Sequence, residues 1–199
     1  MDVFRFVPQL FFDLLARVVP GVVLLVIAAA LHTNGGWEDL LNVAAGGQLK
    51  SENAFAFAFF IPLGVGFVLG HLIAPIGKTL GGWVRHPGFK APWREYDWLR
   101  MHRPDAGALV AKIRAEYTMH YSLAAAFAIG LVAGIAMHAL GTTGAPPLWG
   151  LVALAALTAL SLWRGRDTEK TFADSARQFY AVAQEELPVL PPVIPSADG

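Results

Sequence analysis

Uncharged stretches long enough to cross a bilayer are the feature that most limits how this sequence can fold. Ala54 to Ile76 contains no formal charge, and neither do Tyr117 to Leu140 and Gly141 to Trp163. The apolar core of a bilayer is about 30 Å thick and needs roughly 20 residues of helix to cross it. In water, helices of this kind would have to be buried on all sides, and too little other chain remains to cover them. We therefore predict an all-α, polytopic integral membrane protein.

Turn residues and one weaker apolar run give the number of spans. The segment GTTGAPP, Gly141 to Pro147, is typical of a tight turn, so the third and fourth spans should form an antiparallel hairpin. The first span contains Pro20 and must admit Asp13 and Arg17, which lie four residues apart on one helix face and could form an ion pair near the interface. A cleaved signal peptide is the alternative for this segment, because AAALHT resembles a cleavage site. We predict a single domain, 1–199, with four spans at about 10–31, 54–76, 117–140 and 147–164.

Lysines and arginines are distributed very unevenly between the connecting segments. Of the 15 in the chain, only Lys50 lies between the first two spans, and none lies in the turn between the last two. Positively charged loops stay in the cytoplasm. We therefore expect both termini and the loop 77–116 on the cytoplasmic side of a bacterial inner membrane.

Amphipathic patterns extend beyond the third and fourth spans. Before the third span, apolar residues repeat at helical spacing; after the fourth, a second apolar stripe follows. Because a short turn joins these spans, we expect their cytoplasmic extensions to bury the stripes against each other; the alternative is that the last stripe faces another subunit or a partner. The first stripe comprises Ala106, Leu109, Val110, Ile113 and Tyr117, and the second Phe172, Ala176, Phe179, Tyr180, Ala183 and Leu187.

Two further segments have a distinctive composition. Gly36 to Ala45 is typical of a short amphipathic helix lying on the outer bilayer surface. The proline-rich segment 187–199 should be extended after Pro188, either docked on its own or a neighbouring subunit, or disordered.

The segment Gly81 to Arg103 interleaves aromatic and basic residues. Such residues suit the membrane–water interface, and they also suit a ligand or protein site; nucleic acid is the least favoured partner. The candidate partner or ligand face comprises Trp83, Arg85, His86, Trp93, Arg94, Trp98, Arg100 and Arg103.

Signals for chemistry are sparse. The chain has no cysteine, which excludes disulfides and thiolate metal sites, and its sequence contains no HExxH motif or phosphate-binding glycine loop. His71 lies inside the second span, where a hydrogen-bonded interhelical histidine is the simplest interpretation and an intramembrane catalytic role the alternative. We expect no catalytic residue, no metal and no cofactor.

Small residues at a spacing of four indicate close helix packing. They are Gly66 and Gly70 in the second span and Gly130 and Gly134 in the third. Such motifs on two helices make a homo-oligomer in the lipid bilayer a reasonable expectation. Our leading hypothesis is a non-enzymatic, oligomeric membrane protein whose cytoplasmic face binds a cytosolic partner or signal. The alternative is an oligomeric channel or membrane-disrupting effector, for example of a bacterial defence or toxin system.

Overall fold

The computed structural model describes residues 7–32, 52–85, 88–142 and 145–186, with backbone only for 7–10 and 52–61. Five α-helices make up almost all of this part of the chain. They are α1 (Val7–His32), α2 (Glu52–Val84), α3 (Trp93–His102), α4 (Pro104–Ala139) and α5 (Leu148–Glu186).

Four of these helices, α1, α2, α4 and α5, are long and apolar enough to cross a membrane. The predicted all-α fold with four spans is therefore confirmed, and by helix length and hydropathy the chain is a multi-pass membrane protein. The turn between the last two spans also lies where it was expected: α4 ends at Ala139, Gly141 adopts a left-handed φ of 63°, and α5 begins at Leu148. Glycine adopts such a φ without steric cost.

Glycines let the first two helices approach until their backbones touch. A Cβ added at Gly70 would lie 1.7 Å from the carbonyl oxygen of Arg17, and one added at Gly21 would lie 1.7 Å from that of Gly66. Gly130 of α4 makes room for the side chain of Ile27 of α1, since a Cβ there would lie 2.5 Å from it. Only residues without a side chain permit this crossing, so α1 and α2 pack as one tight pair against α4.

Charged residues of α1 pair with other helices. Asp13 accepts a hydrogen bond from Arg114 of α4 at 3.4 Å, and Arg17 donates to His71 of α2 at 3.4 Å. The predicted ion pair between Asp13 and Arg17 is therefore wrong. Neighbouring helices bring partners to both side chains, and a pattern read along one helix could not reveal them.

Helices α4 and α5 continue far beyond the apolar runs, as predicted. With α3 they form a three-helix unit, which we call the extension layer: α3, residues 104–116 of α4 and residues 165–186 of α5. Its centre is fully closed, because Tyr96 is 2% exposed and Leu99, Val110 and Phe172 are 0% exposed. The layer thus has an apolar core of its own.

Most of the described residues of the two predicted stripes meet in this core, and Leu109 does not. Val110 and Tyr117 of α4 belong to one buried cluster with Phe172 and Ala176 of α5. Leu109 is 47% exposed and does not belong to the stripe, because Val110 occupies the inward position beside it. The stripes therefore pack within the chain.

Tight contact also joins α3 to α4. Arg103 alone separates the two helices, and a Cβ at Gly107 would lie 2.8 Å from the Cα of Arg100. Gly107 is therefore where α3 crosses α4. The predicted surface helix at 36–45, the segment from 187 onward and His86 lie outside the described residues.

Candidate functional site

A buried carboxylate lies where the extension layer meets the spans. Glu169 is on the same face of α5 as Phe172, Ala173 and Ala176, and it is 3% exposed. Burial of a carboxylate is costly unless the charge is paired and hydrogen-bonded. The surroundings of Glu169 therefore have to supply partners.

Arg85 and Tyr121 supply them. The Nε of Arg85 donates to Oε2 of Glu169 at 3.1 Å, and the guanidinium also donates to Oε1. The hydroxyl of Tyr121 donates to Oε2 at 2.9 Å. The hydrogen bonds to Glu169 raise the pKa of the Arg85 guanidinium above its ordinary value. We call these three residues the buried triad; it joins the end of α2 to α4 and α5.

Glycines flank the ring of Tyr121. A Cβ at Gly81 of α2 would lie 2.8 Å from the ring, and a Cβ at Gly165 of α5 would lie 2.7 Å from it. The ring thus lies between two helices that come close enough to leave no room for a methyl group. This packing keeps the Tyr121 hydroxyl directed at Glu169.

A cleft of about 400 Å³ opens beside the triad. It lies between the chain that follows α2 and the part of α5 that leaves the apolar run. Arg85 and Glu169 border it on the inside, and the other lining residues are Phe89, Trp163, Arg166, Asp167 and Lys170.

Helix α3 has one buried face and one open face. Its inner face is held by the buried residues Tyr96 and Leu99. Burial raises the pKa of the Tyr96 phenol, and the positive charges of Arg114 and Arg100 oppose this shift. The other side, which we call the α3 outer face, exposes Arg94, Asp97, Arg100, Met101 and part of Trp93, whose ring also packs 5.6 Å from that of Phe172.

The structure does not bring the eight candidate face residues to one place. Arg85 belongs to the buried triad, and Trp83 is 78% exposed in the last turn of α2. Trp98 packs inward, with its ring 5.2 Å from that of Tyr180. Arg103 pairs with Glu186 at the far end of the layer. Only Trp93, Arg94 and Arg100 share the α3 outer face, and His86 is outside the described residues.

The four predicted packing glycines all contact helices of the same chain. Gly66 and Gly70 face α1, Gly130 faces Ile27, and Gly134 faces Pro146 and Leu151. They are therefore occupied within the chain and supply no surface for a second copy.

The sequence reasoning missed Glu169 and Tyr121. A signal for Glu169 was present, because it precedes Phe172 by three residues and Ala176 by seven, so it falls on the apolar stripe of α5. Tyr121 carried no comparable signal, since a tyrosine near the end of a span is typical of the interface.

The described residues form no group of three or more histidines, aspartates and glutamates that could hold a metal ion. In the buried triad, both carboxylate oxygens already accept hydrogen bonds. Such an arrangement is suited to holding helices together. Comparisons with protein-family models, curated proteins and solved structures find no match to this chain.

Proposed function

We propose that this chain is a non-enzymatic membrane protein whose extension layer faces the cytoplasm and binds a cytosolic protein through the α3 outer face. One observation carries the proposal: α3 is held firmly on its inner side while its outer side exposes apolar groups. Met101 is 73% exposed and Trp93 is 46% exposed, whereas Leu99 between them is 0% exposed.

The outer face has the composition of a protein-binding surface. Aromatic residues, methionine and arginine are enriched in protein interfaces, and Trp and Arg are frequent energetic hot spots. Here Trp93 and Met101 lie on one short helix with Arg94 and Arg100. Because the core of the layer fixes α3, this surface loses little conformational freedom on binding.

Distance from the bilayer favours a protein partner over lipid. The ring of Trp93 lies 5.6 Å from that of Phe172, and Trp98 contacts Tyr180, so α3 runs alongside this part of α5. At 1.5 Å per residue, Phe172 and Tyr180 lie about 12 and 24 Å beyond Arg164 along the helix. The headgroup region is only about 5–7 Å thick on each side. Most of α3 would therefore lie in water, too far from the membrane–water interface for Trp98 to anchor there.

The distribution of charge indicates on which side of the membrane the partner lies and what its surface is like. The uneven distribution of lysine and arginine favours a cytoplasmic layer. Arg94 and Arg100 outnumber Asp97 on this face, so the partner expected is a cytosolic protein with acidic residues around an apolar side chain. The homo-oligomer remains a prediction of the same proposal, with α5 as its expected contact, because Val152 and Leu160 are exposed along it.

Site-specific crosslinking tests the proposal. A photoreactive amino acid at Met101 should give one discrete adduct in cells, and the same amino acid at Val132, 66% exposed within the α4 span, should not. The partner is then purified and titrated against the full chain in nanodiscs. Arg94→Glu combined with Arg100→Glu should weaken binding at least about tenfold, because both charges lie at the contact.

Lys112→Glu is the matched control, since it reverses an exposed charge on another helix, away from the α3 outer face, and should leave binding unchanged. If no adduct forms at Met101, or if the purified partner binds the double variant as tightly as the parent, the proposal is wrong. Release of dye from liposomes by the purified chain would instead favour the conducting oligomer.

A further inference from the structure

The cleft beside the buried triad presents positive charge. Three cations line it: Arg85, Arg166 and Lys170. The two carboxylates in its wall have cationic partners, because Glu169 is bound by Arg85 and Asp167 pairs with Arg164 at 3.6 Å. Three cations against two carboxylates leave the lining of the cleft with one net positive charge.

The depth of the cleft matches the headgroup region of a bilayer. Trp163 lines it and is 62% exposed, and it is the last residue of the uncharged run before Arg164. Tryptophan is enriched at membrane–water interfaces. Lys170 lies about 10 Å further along α5, so the cleft extends from the edge of the apolar core through the headgroups.

The wall of the cleft is also preorganised. Glu169 holds the guanidinium of Arg85, which is 34% exposed, and Gly165 holds the adjacent turn of α5 against Tyr121. A ligand would therefore meet a rigid inner wall, with Lys170 as an exposed and adjustable cation at the opening. Basic pockets between membrane helices bind the phosphates of lipid headgroups in this manner.

We infer that this cleft binds a phosphate ester anion, with Arg166 and Lys170 as its main ligands and Trp163 beside the glycerol. An anionic phospholipid is the source that the position favours. A volume of about 400 Å³ is ample for a phosphate and its glycerol. The inference requires that the helices cross a bilayer and does not depend on partner binding by α3.

Titration of short-chain phosphatidylglycerol into the full-length protein in neutral detergent, followed by native mass spectrometry, tests this site. We expect Lys170→Ala to weaken binding about fivefold and the pair Arg166→Ala with Lys170→Ala about 25-fold, since each basic residue near a membrane surface contributes a factor of about five. Phosphatidylcholine, which has no net charge, should bind no better to the parent than to the variants.

Lys112→Ala is the matched control, because Lys112 is an exposed lysine of the extension layer that does not line the cleft. If it weakens phosphatidylglycerol binding as much as Lys170→Ala does, the affinity is diffuse surface charge and the site is refuted. Lys170→Gln, with helical content checked by circular dichroism, repeats the measurement if the alanine variant is poorly folded.

A second experiment distinguishes a lipid from a soluble phosphate compound as the ligand. Inorganic phosphate and glycerol 3-phosphate are titrated against the same protein in the presence of phosphatidylglycerol. Failure of both to compete supports a lipid ligand. Competition at similar concentrations, lost in Lys170→Ala, supports the phosphate site and overturns the lipid source.

Discussion

Replacement of Glu169 by alanine tests whether the buried triad holds α2, α4 and α5 together. The substitution removes the acceptor of the Tyr121 hydroxyl and of both hydrogen bonds from Arg85. Tyr121 is 4% exposed, so its hydroxyl loses its acceptor in a buried position. An unsatisfied buried polar group costs about 1–3 kcal/mol.

The expected loss of stability depends on how well water can solvate the Arg85 guanidinium once Glu169 is removed. Loss of one partner of a buried ion pair costs about 3–5 kcal/mol when the remaining charge is trapped. The Arg85 side chain is 34% exposed, and its guanidinium also borders the open cleft. Solvent will therefore screen much of its charge. We expect the free energy of unfolding to fall by about 3 kcal/mol, at the lower end of that range.

Reversible unfolding in mixed detergent and dodecyl sulfate micelles measures this change. Glu185→Ala is the control, because it is the same substitution on the same helix at an exposed position, and it should cost less than about 0.5 kcal/mol. If Glu169→Ala costs no more than Glu185→Ala, the buried triad does not stabilise the bundle and the reasoning from its geometry fails.

Two further substitutions test the packing of the bundle and of the extension layer. Gly70→Ala must move α1 and α2 apart, since its Cβ would lie 1.7 Å from a backbone oxygen, and we expect a loss of about 1–3 kcal/mol. Gly64→Ala, with nothing within 4 Å, should be neutral or stabilising; equal effects would refute the close crossing. Phe172→Ala should cost about 3–5 kcal/mol because the side chain is 0% exposed. Leu109→Ala should cost under about 1 kcal/mol, and a larger loss than for Phe172→Ala in the same unfolding assay would refute the assigned core.

The sequence predicted the features that depend on local pattern. The spans follow from runs without charge, because an unpaired charge is costly in hydrocarbon. The helical extensions follow from apolar residues at spacings of three and four, which place Val110 and Tyr117, and likewise Phe172 and Ala176, on one side of a helix. Leu109 satisfied the same spacing and is nevertheless exposed, because spacing defines a stripe but not its edge.

Contacts between distant segments could not be predicted in the same way. Asp13 and Arg17 are correctly spaced for an ion pair, yet their partners are Arg114 and His71. The packing of the whole bundle determines which helices are neighbours and how far each is shifted along the bundle axis. Burial of Glu169 could have been predicted from the local pattern, since a carboxylate on an apolar stripe requires a partner.

The position of the buried triad bears on how the spans and the extension layer could communicate. The triad joins the end of α2 to α5 at the level where the apolar run ends, and Gly81 and Gly165 enclose Tyr121 without space for sliding. Movement of α2 relative to α5 must therefore break the bonds of Arg85 or Tyr121 to Glu169. While those bonds persist, the end of α2 stays fixed to α4 and α5. A signal that changes the layer from within the membrane would have to act on this contact first, and in Glu169→Ala the layer should unfold in a separate transition before the spans. A single shared transition in that variant would show that the continuous helices α4 and α5 couple the spans to the layer without the buried triad.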